Sequence, residues 1–238
     1  MLLSIVVLAA GKGTRMGSKN PKVFHKVGNH PMIYHVLKTA KSLIPKNLVI
    51  VVSSSLNQYL DDIKQKFKNI DFAIQAKQLG TGDAIKSALK ISKLVETDVT
   101  LILYGDTPLI SKQTLKNSLL NFQKKKMDLC ILSMRPRTNE NSYGKLKIEN
   151  SKLKKIIESS ESTLDDKKIQ LCNSGIMIIK TDLLKKNLGK IKNNNSKREF
   201  FLTDIVEIMS KSNFSVDHIE CDYVETLGIN DKVDLSKV

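Results

Sequence analysis

The chain has 238 residues, 41% of them hydrophobic, and carries 39 Lys+Arg against 24 Asp+Glu for a formal net charge of +15. That length allows one large α/β domain or two small ones with a substantial core, and no apolar run approaches the ~20 residues of a membrane helix. The cations are nearly all lysine, are spread along the chain, and have no tandem aromatics or tryptophan beside them, so neither a nucleic-acid nor a membrane partner is expected.

Ser4 to Ala10 is an apolar run rich in β-branched residues and reads as a strand buried on both faces. It has no basic segment ahead of it, so it is a poor signal peptide and a cytoplasmic location is the expectation. It runs into Gly11-Lys12-Gly13-Thr14-Arg15-Met16-Gly17 and then Asn20-Pro21-Lys22. Gly11 and Gly13 let the chain turn and expose its N–H groups. Ala9 and Ala10 leave room for a ligand against the backbone, and Lys12, Arg15 and Lys22 add positive charge. Backbone donors and cations at a strand's end suit a polyphosphate.

Helix and strand patterns then alternate. Pro31 to Leu43 predicts a helix with Met32, Ile33, Val36, Leu37 and Ala40 on one face. Leu48 to Val52 is a buried strand, Tyr59 to Phe67 a helix and Asp71 to Gln75 a short strand. Gly80-Thr81-Gly82 turns into a helix over Asp83 to Leu94. Val99 to Tyr104 is a strand, Ser111 to Lys125 a helix and Asp128 to Met134 a strand. This order implies a mostly parallel twisted sheet flanked by helices, α/β and Rossmann-like. From Pro136 the texture changes. Tyr143 to Ile148 and Leu153 to Glu158 read as a hairpin turning at Asn150-Ser151. Ile176 to Ile179 is a strand, and Asp182 to Leu188 and Thr203 to Met209 are helices. The second half reads as a small β-rich excursion on one sheet, so the chain is expected to be a single domain, with a nucleotide-binding part over about 1–135 and a second part over about 136–238.

Cys130, Cys172 and Cys221 are three and widely spaced, which argues against a disulfide framework and reads them as small buried hydrophobes. His25, His30, His35 and His218 show no metal-ligand spacing.

The glycine spacing superficially matches a dinucleotide fingerprint, but Ser53-Ser54-Ser55 stands where an acidic residue would hold a ribose. No Walker A loop occurs. A loop with its own cations, and Lys22 behind a proline, suits a nucleoside triphosphate whose phosphates are split. Gln75 to Gly82 offers a side-chain amide to a base edge, or else a polar turn and helix cap. Asp106, after Val99 to Tyr104, is placed as a Mg²⁺ ligand at a strand's C-terminal edge, or as an N-cap. Asn230, in Gly228-Ile229-Asn230-Asp231, offers an oxygen to the same metal.

Taken together, Leu8 to Met16 with Pro21-Lys22, then Gln75 to Gly82, Tyr104-Gly105-Asp106, Tyr143-Gly144, Glu158, Asn173-Ser174-Gly175, Glu199 to Asp204 and Gly228-Ile229-Asn230, resemble in content and order the sugar-phosphate nucleotidyltransferases. Among these the chain resembles the uridylyltransferase domain of bacterial bifunctional N-acetylglucosamine-1-phosphate uridylyltransferases, over essentially its whole length. The resemblance implies a GT-A-like fold and Mg²⁺-dependent transfer of UMP from UTP to a sugar 1-phosphate. It implies that Leu8, Ala9, Ala10, Gly11, Gly13, Gln75, Gly80 and Thr81 hold the nucleotide. Arg15 and Lys22 would act on its phosphates, and Asp106 and Asn230 would bind Mg²⁺. Tyr104, Gly144, Glu158 and Asn173 would hold the sugar. Two departures stand out. Asp83 replaces the family's usual histidine and is expected to cap the following helix. The family's acetyltransferase β-helix has no counterpart before Val238, so neither that activity nor its trimer is carried over, and the oligomeric state is left open. The competing readings are a nucleotidyltransferase with another base or acceptor, such as a cytidylyltransferase, a nucleotide-sensing protein without turnover, and a basic nucleic-acid binder.

Overall fold

The computed structural model describes all residues except 19, 92, 93, 95, 137–141, 237 and 238. Strand β1 (Leu3–Leu8) is buried at every position and lies at the centre of a nine-stranded sheet. On one side it pairs in parallel with β4 (Asn47–Val52), which pairs in parallel with β5 (Asp71–Ile74). On the other side it pairs in parallel with β6 (Val99–Tyr104). Beyond β6 come β10 (Cys172–Lys180), β7 (Leu129–Met134) and β11 (Val216–Glu220). β10 runs antiparallel to both neighbours, while β11 is parallel to β7. Six of the seven strands on this path therefore point the same way, as the alternating pattern predicts. The remaining two, β8 (Lys145–Glu149) and β9 (Lys152–Ile157), form the expected hairpin, attached through β10. Asn150 and Ser151 both have positive φ, 50° and 59°, as a tight hairpin turn requires. A two-stranded ribbon of β2 (Lys26–Val27) and β3 (His30–Pro31) completes the strands.

Side-chain alternation along β1 divides the core. Val6 and Leu8 face a layer containing α3 (Thr81–Ala88), α5 (Thr181–Leu188) and α6 (Asp204–Lys211). Ile5 and Val7 face α1 (Met32–Ser42), α2 (Leu60–Lys66) and α4 (Lys112–Lys124). All five apolar residues foreseen on α1 are fully buried.

Two expectations are corrected, and one strand is new. The helix predicted over Asp83 to Leu94 ends at Ala88, and residues 92 and 93 lie outside the described part. β10 starts four residues earlier than its apolar run, because its pairing with β7 shifts register between Asn173 and Met177. Gly175 in that bulge has φ +90° and packs on Tyr104, where a Cβ would lie 2.8 Å from the ring. β11 carries Asp217, His218 and Glu220 on a half-wet edge, and so lacks the apolar run of an interior strand. A short α7 (Lys232–Ser236) ends the described chain.

The cysteines are free, with Cys130 and Cys172 buried. Burial pushes the Cys130 thiol well up and that of Cys221 to about 11, so both stay neutral. No helix among the described residues is long and apolar enough to cross a membrane.

Candidate active site

The sheet order reverses at β1. The chain leaves it toward β4 and β5, then returns to place β6 on the opposite side. In open α/β sheets the crevice at the carboxyl ends of such strands is the binding site. Here it is a cavity of about 520 Å³ lined by the loop after β1, the end of β6, the segment after β5 and Asn230.

Ala9 N–H still bonds to Val51 O, so the chain leaves the sheet at Ala10. Gly13 has φ +62°, and a Cβ there would sit 2.5 Å from Lys22 Cβ. The loop thus closes onto Lys22 because residue 13 lacks a side chain. Gly11, by contrast, has open space around it, so its conformation does not demand glycine. Pro21 caps a 3₁₀ turn over Lys22–Phe24 that presents Lys22.

Lys22 Nζ bonds to Asp106 Oδ2 and, at 2.9 Å, to Asn230 Oδ1. Arg15 Nη2 reaches the same Asn230 oxygen at 3.2 Å. Ile229 N–H donates to Asp106 O, which binds the late segment to the end of β6. Asn230 Nδ2 donates to Gly228 O, which identifies Oδ1 as the atom facing the cations. Residues 208 positions apart therefore meet at one point. The two oxygens foreseen for a metal and the two cations foreseen for phosphates form one cluster, in which Lys22 pairs with Asp106.

Across the cavity, Gln78 Nε2 donates to Ala10 O at 2.7 Å, linking the segment after β5 to the loop after β1. Gln78 lies inside the Gln75 to Gly82 motif, where nothing in its sequence context assigns it this link. Gly80 and Thr81 dock on the late motif. Phe200 N–H donates to Leu79 O, Gly82 N–H to Phe200 O, and Leu202 N–H to Thr81 Oγ1. Lys12, expected among the loop's cations, also lines the cavity, as do Glu199, expected only within the Glu199 to Asp204 motif, and Lys197, for which no role is expected. Asp83 does not cap α3. Gly80 is the N-cap and no side chain caps that end. The Asp83 carboxylate instead accepts from Gln75 Nε2 at 2.8 Å.

The proposed sugar residues are gathered but do not all reach this cavity. Tyr104 lines it. Its phenol is pushed well up by burial, with Glu158 and Asp106 adding to the shift, so it remains a hydrogen-bond donor. Asn173 N–H donates to Gly144 O, and Asn173 Oδ1 accepts from Gly175 N–H. Glu158 Oε1 accepts from Thr203 Oγ1 at 2.6 Å. Glu158 opens onto a neighbouring cavity of about 500 Å³ shared with Asp204, Glu161 and Glu207.

Burial, then repulsion from Glu158, Glu207 and Glu161, pushes the Asp204 carboxyl up to about 6 from its ordinary 3.8. A raised carboxyl binds its proton more tightly in the folded chain than in the unfolded one. The stability it contributes is complete below pH 3.8 and is lost as pH rises through about 6. Asp204→Asn should therefore raise the melting temperature at pH 7.5 and lose that advantage at pH 4 or below. Solvent screening at a half-buried site limits the gain to about 1 kcal/mol. Thermal melts of both proteins across that range provide the check.

The sheet reversal, and the cavity it opens beside a cation-bearing loop, define the class: an α/β nucleotidyltransferase. Residues 5–157 match the MobA-like NTP transferase domain, and the chain belongs to that family. It is 37% identical over 235 residues to the bifunctional protein GlmU of Wolbachia pipientis wMel, covering 98% of this chain and 53% of that protein. Against the bifunctional protein GlmU of Buchnera aphidicola subsp. Schizaphis graminum, identity is 39% over 237 residues, covering 98% and 50%. The chain thus spans about half the length of the curated relatives it matches. A crystal structure from Bacillus anthracis described as a glucose-1-phosphate thymidylyltransferase superposes with a TM-score of 0.76 at 19% identity, covering 99% of this chain and 93% of that one, and so shares the fold.

Proposed function

We propose that the chain transfers UMP from UTP to a sugar 1-phosphate, N-acetylglucosamine 1-phosphate first among acceptors, and releases pyrophosphate in a Mg²⁺-dependent reaction. The observation that carries this reading is the meeting, in one cavity, of the loop after β1, the Lys22–Asp106–Asn230 cluster and the Gln75 amide. The sugar-phosphate acceptor rests on the resemblance carried by Tyr104, Gly144, Glu158, Asn173 and the segment over Glu199 to Asp204.

The nucleophile, a phosphate oxygen, is already an anion at neutral pH, so no general base is needed. The barrier is repulsion between two anions and charge building on the departing pyrophosphate. Cations fixed in advance, with backbone N–H groups beside them, lower that barrier without reorganising. In this reading Lys22 stabilises the crowded α-phosphate and Arg15 the departing pyrophosphate. The backbone over Leu8 to Gly13, with Gln75, Gly80 and Thr81, holds base and ribose. Residues of about 1–135 bind nucleotide and those of about 136–238 bind the sugar, within one domain.

Asp106 and Asn230 fit a magnesium ion. Their oxygens already converge on a positive charge, and hard oxygen donors are what this ion takes. Among the described residues no group of three or more His, Cys, Asp or Glu is arranged to hold a metal. Magnesium keeps several waters and substrate oxygens and takes only one or two protein ligands, the number that Asp106 and Asn230 offer. Bound there, it would neutralise phosphate charge and help orient the two substrates.

Incubation with UTP, CTP or dTTP and a panel of sugar 1-phosphates, read by pyrophosphate release, tests the reading. UTP with N-acetylglucosamine 1-phosphate should turn over fastest. Faster release from CTP would reassign the base, and UTP binding without turnover on any acceptor would sink the reaction.

A further inference from the structure

Gln75 directly follows β5, the strand that leads into the cavity, and is almost wholly buried. Its amide nitrogen has two hydrogens. One goes to Gly80 O at 3.0 Å and the other to Asp83 Oδ2 at 2.8 Å. The two acceptors fix the amide's orientation, since a flipped amide would set its oxygen against a carbonyl and a carboxylate. Oε1 takes no hydrogen bond among the described residues, since both bonds of this side chain come from Nε2. Gln75 lines the nucleotide cavity, which is the space that oxygen meets. Gly80 lines it too, and its N–H donates to no acceptor among the described residues.

We propose that Asp83 is the positioning residue for base selection: its carboxylate locks the Gln75 amide so that only an acceptor faces the base. This rests on the reading of the cavity as a pyrimidine nucleoside triphosphate site. Uracil presents a ring N–H beside a carbonyl, which matches an amide oxygen beside a backbone N–H. Cytosine presents a bare ring nitrogen beside an amino group, so a lone pair meets the amide oxygen's lone pairs and N–H meets N–H. Gly80 O alone holds one hydrogen of the amide. The carboxylate adds a charge-assisted bond, roughly twice as strong as a neutral one. Without it the amide turns more readily and offers its NH₂ group to cytosine.

The test compares kcat/KM for UTP and CTP in the wild-type chain, Asp83→Ala and Asp83→Asn, with melting temperatures measured alongside. Asp83→Ala should lower the UTP/CTP ratio about tenfold, the size of one lost polar contact in a desolvated site. The loss should appear in KM for UTP, with KM for the sugar phosphate unchanged. Asp83→Asn keeps an acceptor and should restore part of the ratio. In a Gln75→Ala background, Asp83→Ala should leave the ratio where Gln75→Ala put it, because the carboxylate acts through the amide. A lower melting temperature with an unchanged ratio in both Asp83 variants would make Asp83 a helix-end acid and overturn the proposal. A wild-type chain with no preference for UTP would instead remove the uridylyl reading itself, and the proposal with it.

Discussion

Lys22→Ala should cut turnover by about 10²–10³, the usual cost of removing one pre-placed charge from a group-transfer site. Three independent constraints hold this ammonium. Pro21 opens the turn that carries it, Gly13 lets the loop close over its stem, and Asp106 with Asn230 grips its tip. Its side chain is 12% exposed and that of Asp106 19%, so charge here is poorly screened. A second cation, Arg15, touches Asn230 but not Asp106 among the described contacts, so it does not substitute. The fold should survive, because the core on either side of β1 has no share in the contact. Lys22→Gln keeps the length without the charge and should fail as badly, while Lys22→Arg keeps the charge in a wider, planar group and should recover part of the rate. Steady-state kcat and melting temperature for the three variants decide the point. Near-normal kcat in Lys22→Gln would show that length rather than charge matters, and would remove Lys22 from the chemistry.

Central strands were readable because their burial is written locally. β1, β4, β6 and β7 each carry an unbroken apolar run, and α1 shows its buried stripe in full. β11 was not readable, since an edge strand with two apolar residues among Asp217, His218 and Glu220 looks like a loop until β7 lies beside it. The true start of β10 was hidden for a related reason: its bulge is set by contact with Tyr104, 71 positions before Gly175. The site behaved in the same way. Glycines, Lys22, Asp106 and Asn230 could be nominated by chemistry, because polyphosphate and metal demand particular residue types. Their meeting at one point is a property of the sheet reversal.

Asp83 shows the limit of local reading most clearly. An acid at the start of a helix has an ordinary explanation in the helix dipole, and the sequence gives no sign that Gln75, eight positions earlier, is its partner. Glu158 was nominated as a sugar ligand, yet its free face opens beside Asp204 and not into the nucleotide cavity. That placement follows from β9, which packs on α6, while Glu158 stays close enough to Tyr104 to help raise its phenol.

Asp106→Ala should also lower the rate by about 10²–10³, but through a different dependence. The carboxylate lies two residues beyond β6, where β1 and β6 open the cavity, and it is the one acid in contact with Lys22 among the described residues. Removing it takes away the negative charge that makes this corner attractive to a divalent cation, leaving the Asn230 oxygen as a neutral donor. Rate against Mg²⁺ concentration should therefore shift to a higher midpoint as well as a lower plateau, whereas Lys22→Ala lowers the plateau with little change in midpoint. Asp106→Asn, which keeps an oxygen and loses the charge, should fall between wild type and alanine. The variant also leaves Lys22 without its counter-ion, so the site becomes more positive and UTP alone should bind at least as well as before. Isothermal titration of UTP without metal separates that from general damage. Tight UTP binding with poor, metal-hungry turnover is the expected pattern. Wild-type midpoint and plateau in Asp106→Ala would mean that the metal is held elsewhere and that Lys22 keeps its place without this counter-ion.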